Sequence, residues 1–167
     1  MNYSPSTRER VGDMVRGLIV ETATLNATAA LVSTPKDLFT VYGLVRILTL
    51  EMEVVTVLGA DATTLTYSFD ASSPAVATAA ISGASASLAN LAVAKRVKLS
   101  GTALNTAPIV SANPAISLTA NASIDLGCID GVGTITSTGG TADATSGTVK
   151  FRVAYVPITA GAYIAAA

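Results

Sequence analysis

The chain has 167 residues, enough for one domain, and half of them are apolar, while 5% are aromatic and 13% charged, for a net charge of −1. The lack of a basic excess excludes nucleic-acid binding by bulk electrostatics, and low charge with high hydrophobicity excludes a disordered tail. One cysteine excludes a disulfide scaffold, and the absence of histidine removes the commonest general base and the commonest metal ligand.

Residues 1–17 are polar and carry Arg8, Arg10 and Arg16. Ser6 and Glu9 have capping-box spacing, and Val11, Met14 and Val15 follow on one side, so the segment reads as an N-terminal arm or short helix. The apolar run Leu18-Ile19-Val20 stops at Glu21, too short for a signal-peptide core. Synthesis in the cytoplasm without export follows, with Cys128 expected as a reduced, buried thiol.

From residue 18 the pattern is β. Thr34-Pro35-Lys36-Asp37 is a turn, and Leu38–Leu58 is a long apolar-rich stretch interrupted by Arg46, Glu51 and Glu53. Its β-branched content favours buried strands over a membrane helix. Its first half is apolar at both odd and even positions, the mark of a strand covered on both sides. After a turn at Gly59-Ala60-Asp61-Ala62, the residues Thr63, Leu65, Tyr67 and Phe69 alternate with small polar ones as in a half-buried strand. The two stretches read as a hairpin.

Residues 71–95 form an Ala/Ser-rich insertion, with a short helix possible at Leu88–Ala94. Lys95-Arg96-Val97-Lys98 is the one basic cluster and reads as a solvated strand end. Short strand pieces resume at Ile109–Val110, Ile116–Leu118, Ser123–Ile129 and Val132–Thr136, and a turn-rich loop follows from Thr138 to Gly147. In the last strand Val149, Phe151, Val153 and Tyr155 point one way and Thr148, Lys150, Arg152 and Ala154 the other. The chain closes on an almost uncharged segment that includes Tyr163 and Ile164, expected to be docked rather than solvated. The fold class is therefore all-β, an antiparallel sandwich or barrel-like domain over residues 18–167, preceded by the arm.

The usual chemical motifs are missing. There is no phosphate-cradling loop with its lysine, and Gly83-Ala84-Ser85 has only half of a nucleophile elbow with no histidine to activate the serine. Glu51 and Glu53 share a strand face, a pattern that fits a solvated face better than a calcium site or an acid–base pair. The sequence supports neither an enzyme nor a cofactor or metal site. With so few charges, much of the surface must be Thr, Ser, Ala and Gly, which suits flat, uncharged contacts in an assembly.

Two segments carry a resemblance. Asp37-Leu38-Phe39-Thr40-Val41-Tyr42-Gly43-Leu44-Val45 is similar to an LFTVxGxV signature of small virion proteins of tailed bacteriophages. The stretch from Gly147 to Ile158, followed by Gly161-Ala162 and an Ala-rich end, resembles the closing strand and tail of the same proteins. The chain departs from that pattern in its aromatic-poor final strand and in segment 71–95. The resemblance implies a structural virion protein, a capsid decoration or cement protein at the capsid surface that binds the major capsid protein and bridges its subunits. It also implies self-association, as a homotrimer, with no nucleic acid or membrane partner. Contact residues expected on this reading are Arg8, Arg10, Val11, Met14, Val15 and Arg16 of the arm, with Tyr163 and Ile164 of the closing segment. The alternatives are another virion part (a tail, head-fibre or adhesion module) and, more remotely, a cellular ligand-binding β-domain.

Overall fold

The computed structural model describes residues 17–99, 107–110 and 127–167. The predicted arm at 1–16, the strand piece 116–118 and the first part of 123–129 lie outside the described residues. In chain order the elements are β1 (Leu18–Glu21), β2 (Leu25–Asn26), a single-turn helix α1 (Ala27–Ala30), β3 (Lys36–Tyr42), β4 (Val45–Thr56), β5 (Thr64–Ser73) and β6 (Ala79–Ala80). They continue with β7 (Arg96–Lys98), β8 (Ile109–Val110), β9 (Cys128–Ile129), β10 (Val132–Gly140), β11 (Thr148–Pro157) and β12 (Tyr163–Ala166).

Two antiparallel sheets pack face to face as an all-β sandwich. The first runs β1-β11-β4-β7-β8, with β2 also beside β11 and β9 also beside β4. The second runs β12-β3-β10-β5-β6. The core between them is apolar: Phe39, Val41, Leu65, Tyr67 and Ile135 from the second sheet meet Leu50, Met52, Val54, Val149, Phe151 and Val153 from the first. Tyr67 and Phe151 bridge the layers edge to face, centroids 6.2 Å apart. Each such aromatic removes about 150–250 Å² from water, about 4–6 kcal/mol at ~25 cal/mol per Å² before the ordering cost.

The long apolar stretch is a pair of buried strands, β3 and β4, as expected. The chain turns at Gly43, which has a positive φ of 75°, and crosses from the second sheet into the first. Bulges then explain why both faces looked apolar. The β10–β3 register skips Leu38, which is buried together with its neighbour Phe39. The β11–β4 register skips Leu48, so Val45 and Ile47 face inward before the bulge and Leu50, Met52 and Val54 after it. A one-residue shift moves every following side chain to the other face.

Three expectations are corrected. The proposed hairpin is absent, because β4 pairs with β11, β7 and β9 while β5 pairs with β10 and β6. No helix forms at 88–94: the Leu88, Asn90 and Ala94 N–H groups donate to Thr63, Gly59 and Val54 carbonyls, and Asn90 and Ala94 have positive φ. Cys128 is exposed rather than buried. Its strand is two residues long and lies alongside the start of β4.

The Ala/Ser-rich segment has a definite place along β5. The Tyr67 N–H donates to Ser82 Oγ (2.8 Å) and the Leu65 N–H to Ser85 Oγ (2.9 Å). The Ile81 and Ser85 N–H groups donate back to the Tyr67 and Leu65 carbonyls. Serine hydroxyls thus stand in for a neighbouring strand and satisfy a sheet edge without an extended ladder. The uncharged C terminus is docked as expected, as β12 on β3.

Candidate interaction surface

The two outer faces of the sandwich differ in charge. On the first sheet the pairing register sets charges opposite one another. Glu21, Arg152, Glu51 and Lys98 form one row across β1, β11, β4 and β7, and Lys150, Glu53 and Arg96 form the next. Each strand contributes at two-residue spacing, so the side chains share one face. Arg152 Nε donates to Glu21 Oε1 (2.6 Å) and its Nη1 to Glu51 Oε1 (3.1 Å). Arg96 reaches both acids of β4, Glu51 at 3.2 Å and Glu53 at 3.2 Å. Lys150 lies 3.6 Å from Glu21.

Glu51 sits at the centre of this network and is only 5% exposed, in contrast to the solvated strand face expected for it. Two guanidinium groups occupy the space a metal cation would need, so the Glu51–Glu53 pair is arranged for arginine and not for calcium. Lys95–Lys98 is likewise no bare strand end, since Arg96 is committed to the network. The hydrogen bond from Arg152, with the nearby Arg152 and Lys150 charges, holds the Glu21 carboxyl below the usual carboxylate range, against a smaller opposing effect of burial. Among the described residues no group of three or more His, Cys, Asp or Glu side chains could hold a metal ion.

The second sheet is nearly bare of charge. Its strands β12, β3, β10, β5 and β6 carry only Lys36, Asp37 and Asp70, and its outward positions include Thr40, Thr134, Thr138, Thr66 and Ser68. At one end of it, Tyr42 and Tyr163 stack with centroids 4.5 Å apart and an interplanar angle of 20°. Both rings are exposed, at 37% and 46%, and Ile158 in the adjoining loop is 49% exposed. Exposed tyrosines in a surface depleted of charge are the composition of interface cores.

The stack is held by a tight corner. Ile158 N–H donates to the Leu44 carbonyl (2.9 Å) and the Leu44 N–H to Thr159 Oγ1 (3.2 Å). A Cβ on Gly43 would stand 3.1 Å from Ala162 Cβ and 3.2 Å from Thr159 Oγ1, a tight fit, and the positive φ of 75° favours glycine there. Segments 37–45 and 147–166 therefore pack on each other, β12 against β3 and the 158–162 loop over Gly43-Leu44.

Of the predicted contact residues, Arg8, Arg10, Val11, Met14, Val15 and Arg16 lie outside the described residues. Tyr163 is on the surface as described. Ile164 is turned into the chain's own core and is 4% exposed, because successive residues of β12 face opposite sides. Tyr42, the partner of Tyr163, was missed, since only the β12–β3 register brings the two together. The charge network was also missed, although its signal is in the sequence: Glu51/Glu53, Arg96/Lys98 and Lys150/Arg152 all have the same two-residue spacing. Comparison with family models, with curated proteins and with solved structures returns no match.

Proposed function

We propose that the chain is a structural virion protein, a capsid decoration protein that binds the major capsid protein on the outer shell, self-associates as a homotrimer and acts by binding rather than by catalysis. The observation that carries this reading is the corner at Gly43. Two segments far apart in sequence, each similar to small tailed-phage virion proteins, form one unit that presents the Tyr42–Tyr163 stack and Ile158. The asymmetry of the faces supports it further: the charged face of the first sheet suits water, and the Thr- and Tyr-bearing face of the second suits a close uncharged contact. A standard interface covers about 800 Å² per partner. Repeated over many copies, apolar burial at ~25 cal/mol per Å² would offset internal genome pressure on the shell.

The test is co-sedimentation with empty tailed-phage shells assembled from the major capsid protein alone. Saturable binding at a fixed number of chains per capsid protein, lost in Tyr42→Asp/Tyr163→Asp, is expected. Binding to tail structures and not to shells would move the protein to another virion part, and binding to neither would sink the reading.

A further inference from the structure

The open edge of the sandwich between β9 and the β5–β6 end holds a cavity of about 260 Å³ walled by Phe69, Pro74, Val76 and Ile129, with Cys128 and Asp130 beside them. Below the range of about 300–1,000 Å³ usual for drug-sized ligands, it has the scale of one or two aliphatic side chains. Val76 is 60% exposed, so the cavity opens to the outside. Asp130 is its one charged lining residue, exposed and in no ion pair among the described residues. Arg46, opposite Cys128 on β4, already has a partner.

The complementary segment is in the same chain. Residues 8–16 hold Val11, Met14 and Val15 at i, i+3, i+4 spacing, flanked by Arg8, Arg10 and Arg16. They join the fold at Gly17, which abuts the Tyr155 carbonyl and Leu48 at the same end of the sandwich. We propose that Met14 and Val15 of one copy seat in this cavity of a second copy, with a flanking arginine at Asp130. The inference rests on the assembly reading above and deepens it by naming the contact between copies.

Reach decides for a second copy. Between Leu18 and Cys128 lie β11 and β4, so three strand spacings, about 14 Å, separate the arm's root from the near wall of its own cavity. Val15 is two residues from Gly17, so its Cα lies at most about 7 Å away and its short side chain adds about 2.5 Å, and Met14 and Val15 therefore cannot both enter the chain's own cavity. Arm and cavity on different surfaces make a head-to-tail contact, which forms a closed ring when the rotation between copies allows it. Closure at three gives the homotrimer.

Cys128 is the chain's one cysteine and serves as the reporter. In the full chain carrying Met14→Cys, mild oxidation should link Met14→Cys to Cys128 of the next copy, giving covalent species up to a trimer on a non-reducing gel. A disulfide needs Cα atoms within about 7 Å, so the link reports contact. Linking should run at least about tenfold faster than for Ser4→Cys, the discrimination that 1.4 kcal/mol of preferred docking supplies, and Asp130→Lys should remove that advantage. In the otherwise unaltered protein, deleting residues 2–16 should speed thiol labelling of Cys128 by a similar factor. An intramolecular link, equal rates for the two cysteine positions, or labelling unchanged by the deletion overturns the proposal. Shell binding without linking sinks the arm contact alone, and linking without shell binding sinks the decoration reading alone.

Discussion

Glu51 on β4 and Arg152 on β11 face each other directly across the pairing and meet at 3.1 Å, with the carboxylate nearly closed off from water. Arg96 approaches the same oxygen from the other side at 3.2 Å. Removing the shared acid leaves two guanidiniums face to face. Breaking a buried pair from one side costs about 3–5 kcal/mol, and both arginines keep partial contact with solvent, so Glu51→Ala should cost about 2–3 kcal/mol in urea unfolding. Lys150→Ala, at the solvated margin, should cost less than about 0.5 kcal/mol. Equal losses for the two would contradict the central place given to Glu51.

Stability should fall on acidification through Glu21. Its folded pKa lies below the unfolded value of 4.5, chiefly because of the Arg152 hydrogen bond. Between the two values the unfolded chain binds a proton that the folded chain does not, so stability falls as pH falls. The contribution is full above the unfolded value and is gone once pH drops through the folded one. Asp61, lowered by its hydrogen bond from the Thr145 hydroxyl, acts in the same direction from 3.8 downward. Glu21→Gln should flatten the upper part of the acid limb in Tm measured against pH and leave the curve above pH 6 parallel to that of the unaltered protein.

The Tyr67 hydroxyl is buried with no hydrogen-bond partner among the described residues. Burial first, and the Glu51 charge second, push its ionisation well above the usual tyrosine range. Tyr67→Phe keeps the edge-to-face contact with Phe151 and removes the unpaired oxygen, so stability should be unchanged or rise by up to about 1 kcal/mol. In alkaline absorbance titration, one tyrosine fewer should ionise only on unfolding. A loss above 1 kcal/mol would show that the hydroxyl has a partner.

Gly139 in β10 lets the chain after α1 lie against the sheet. A Cβ there would come within 2.4 Å of the Leu31 carbonyl carbon and 2.5 Å of its oxygen, and the Gly139 N–H donates to the Val32 carbonyl at 2.7 Å. Backbone cannot yield as a side chain does, so Gly139→Ala should cost about 2–3 kcal/mol by overpacking. Gly161→Ala tests the opposite case: its Cβ would meet nothing, and only the positive φ of 81° opposes it. A loss of about 1 kcal/mol is expected there.

What was legible in the sequence was whatever depends on alternation within one strand. Val149–Tyr155 and Leu65–Phe69 face inward as their period of two requires, and the all-β class follows from them. What was illegible depends on register and bulges. The skipped residues Leu38 and Leu48 reverse the phase in mid-strand, which made the first half of the stretch look apolar on both faces. The hairpin failed because adjacency in sequence says nothing about the return crossing from β4 in the first sheet to β5 in the second, between Thr56 and Thr64. The helix at 88–94 failed because hydrogen bonds to β4 and to the Gly59–Thr63 turn outweigh alanine's local preference. Ile164 was placed on the surface for want of the β12 phase, and Glu51 looked solvated because its arginines lie 45 and 101 residues away.

The most direct test of the decoration reading is the thermal disruption temperature of empty shells with and without saturating protein, followed by calorimetry. A protein that bridges capsid subunits binds the intact shell and not its dissociated parts, so the transition must rise with the concentration of free protein. The account predicts that rise for the intact protein and its loss in Tyr42→Asp/Tyr163→Asp. A transition that stays in place at every concentration would contradict it.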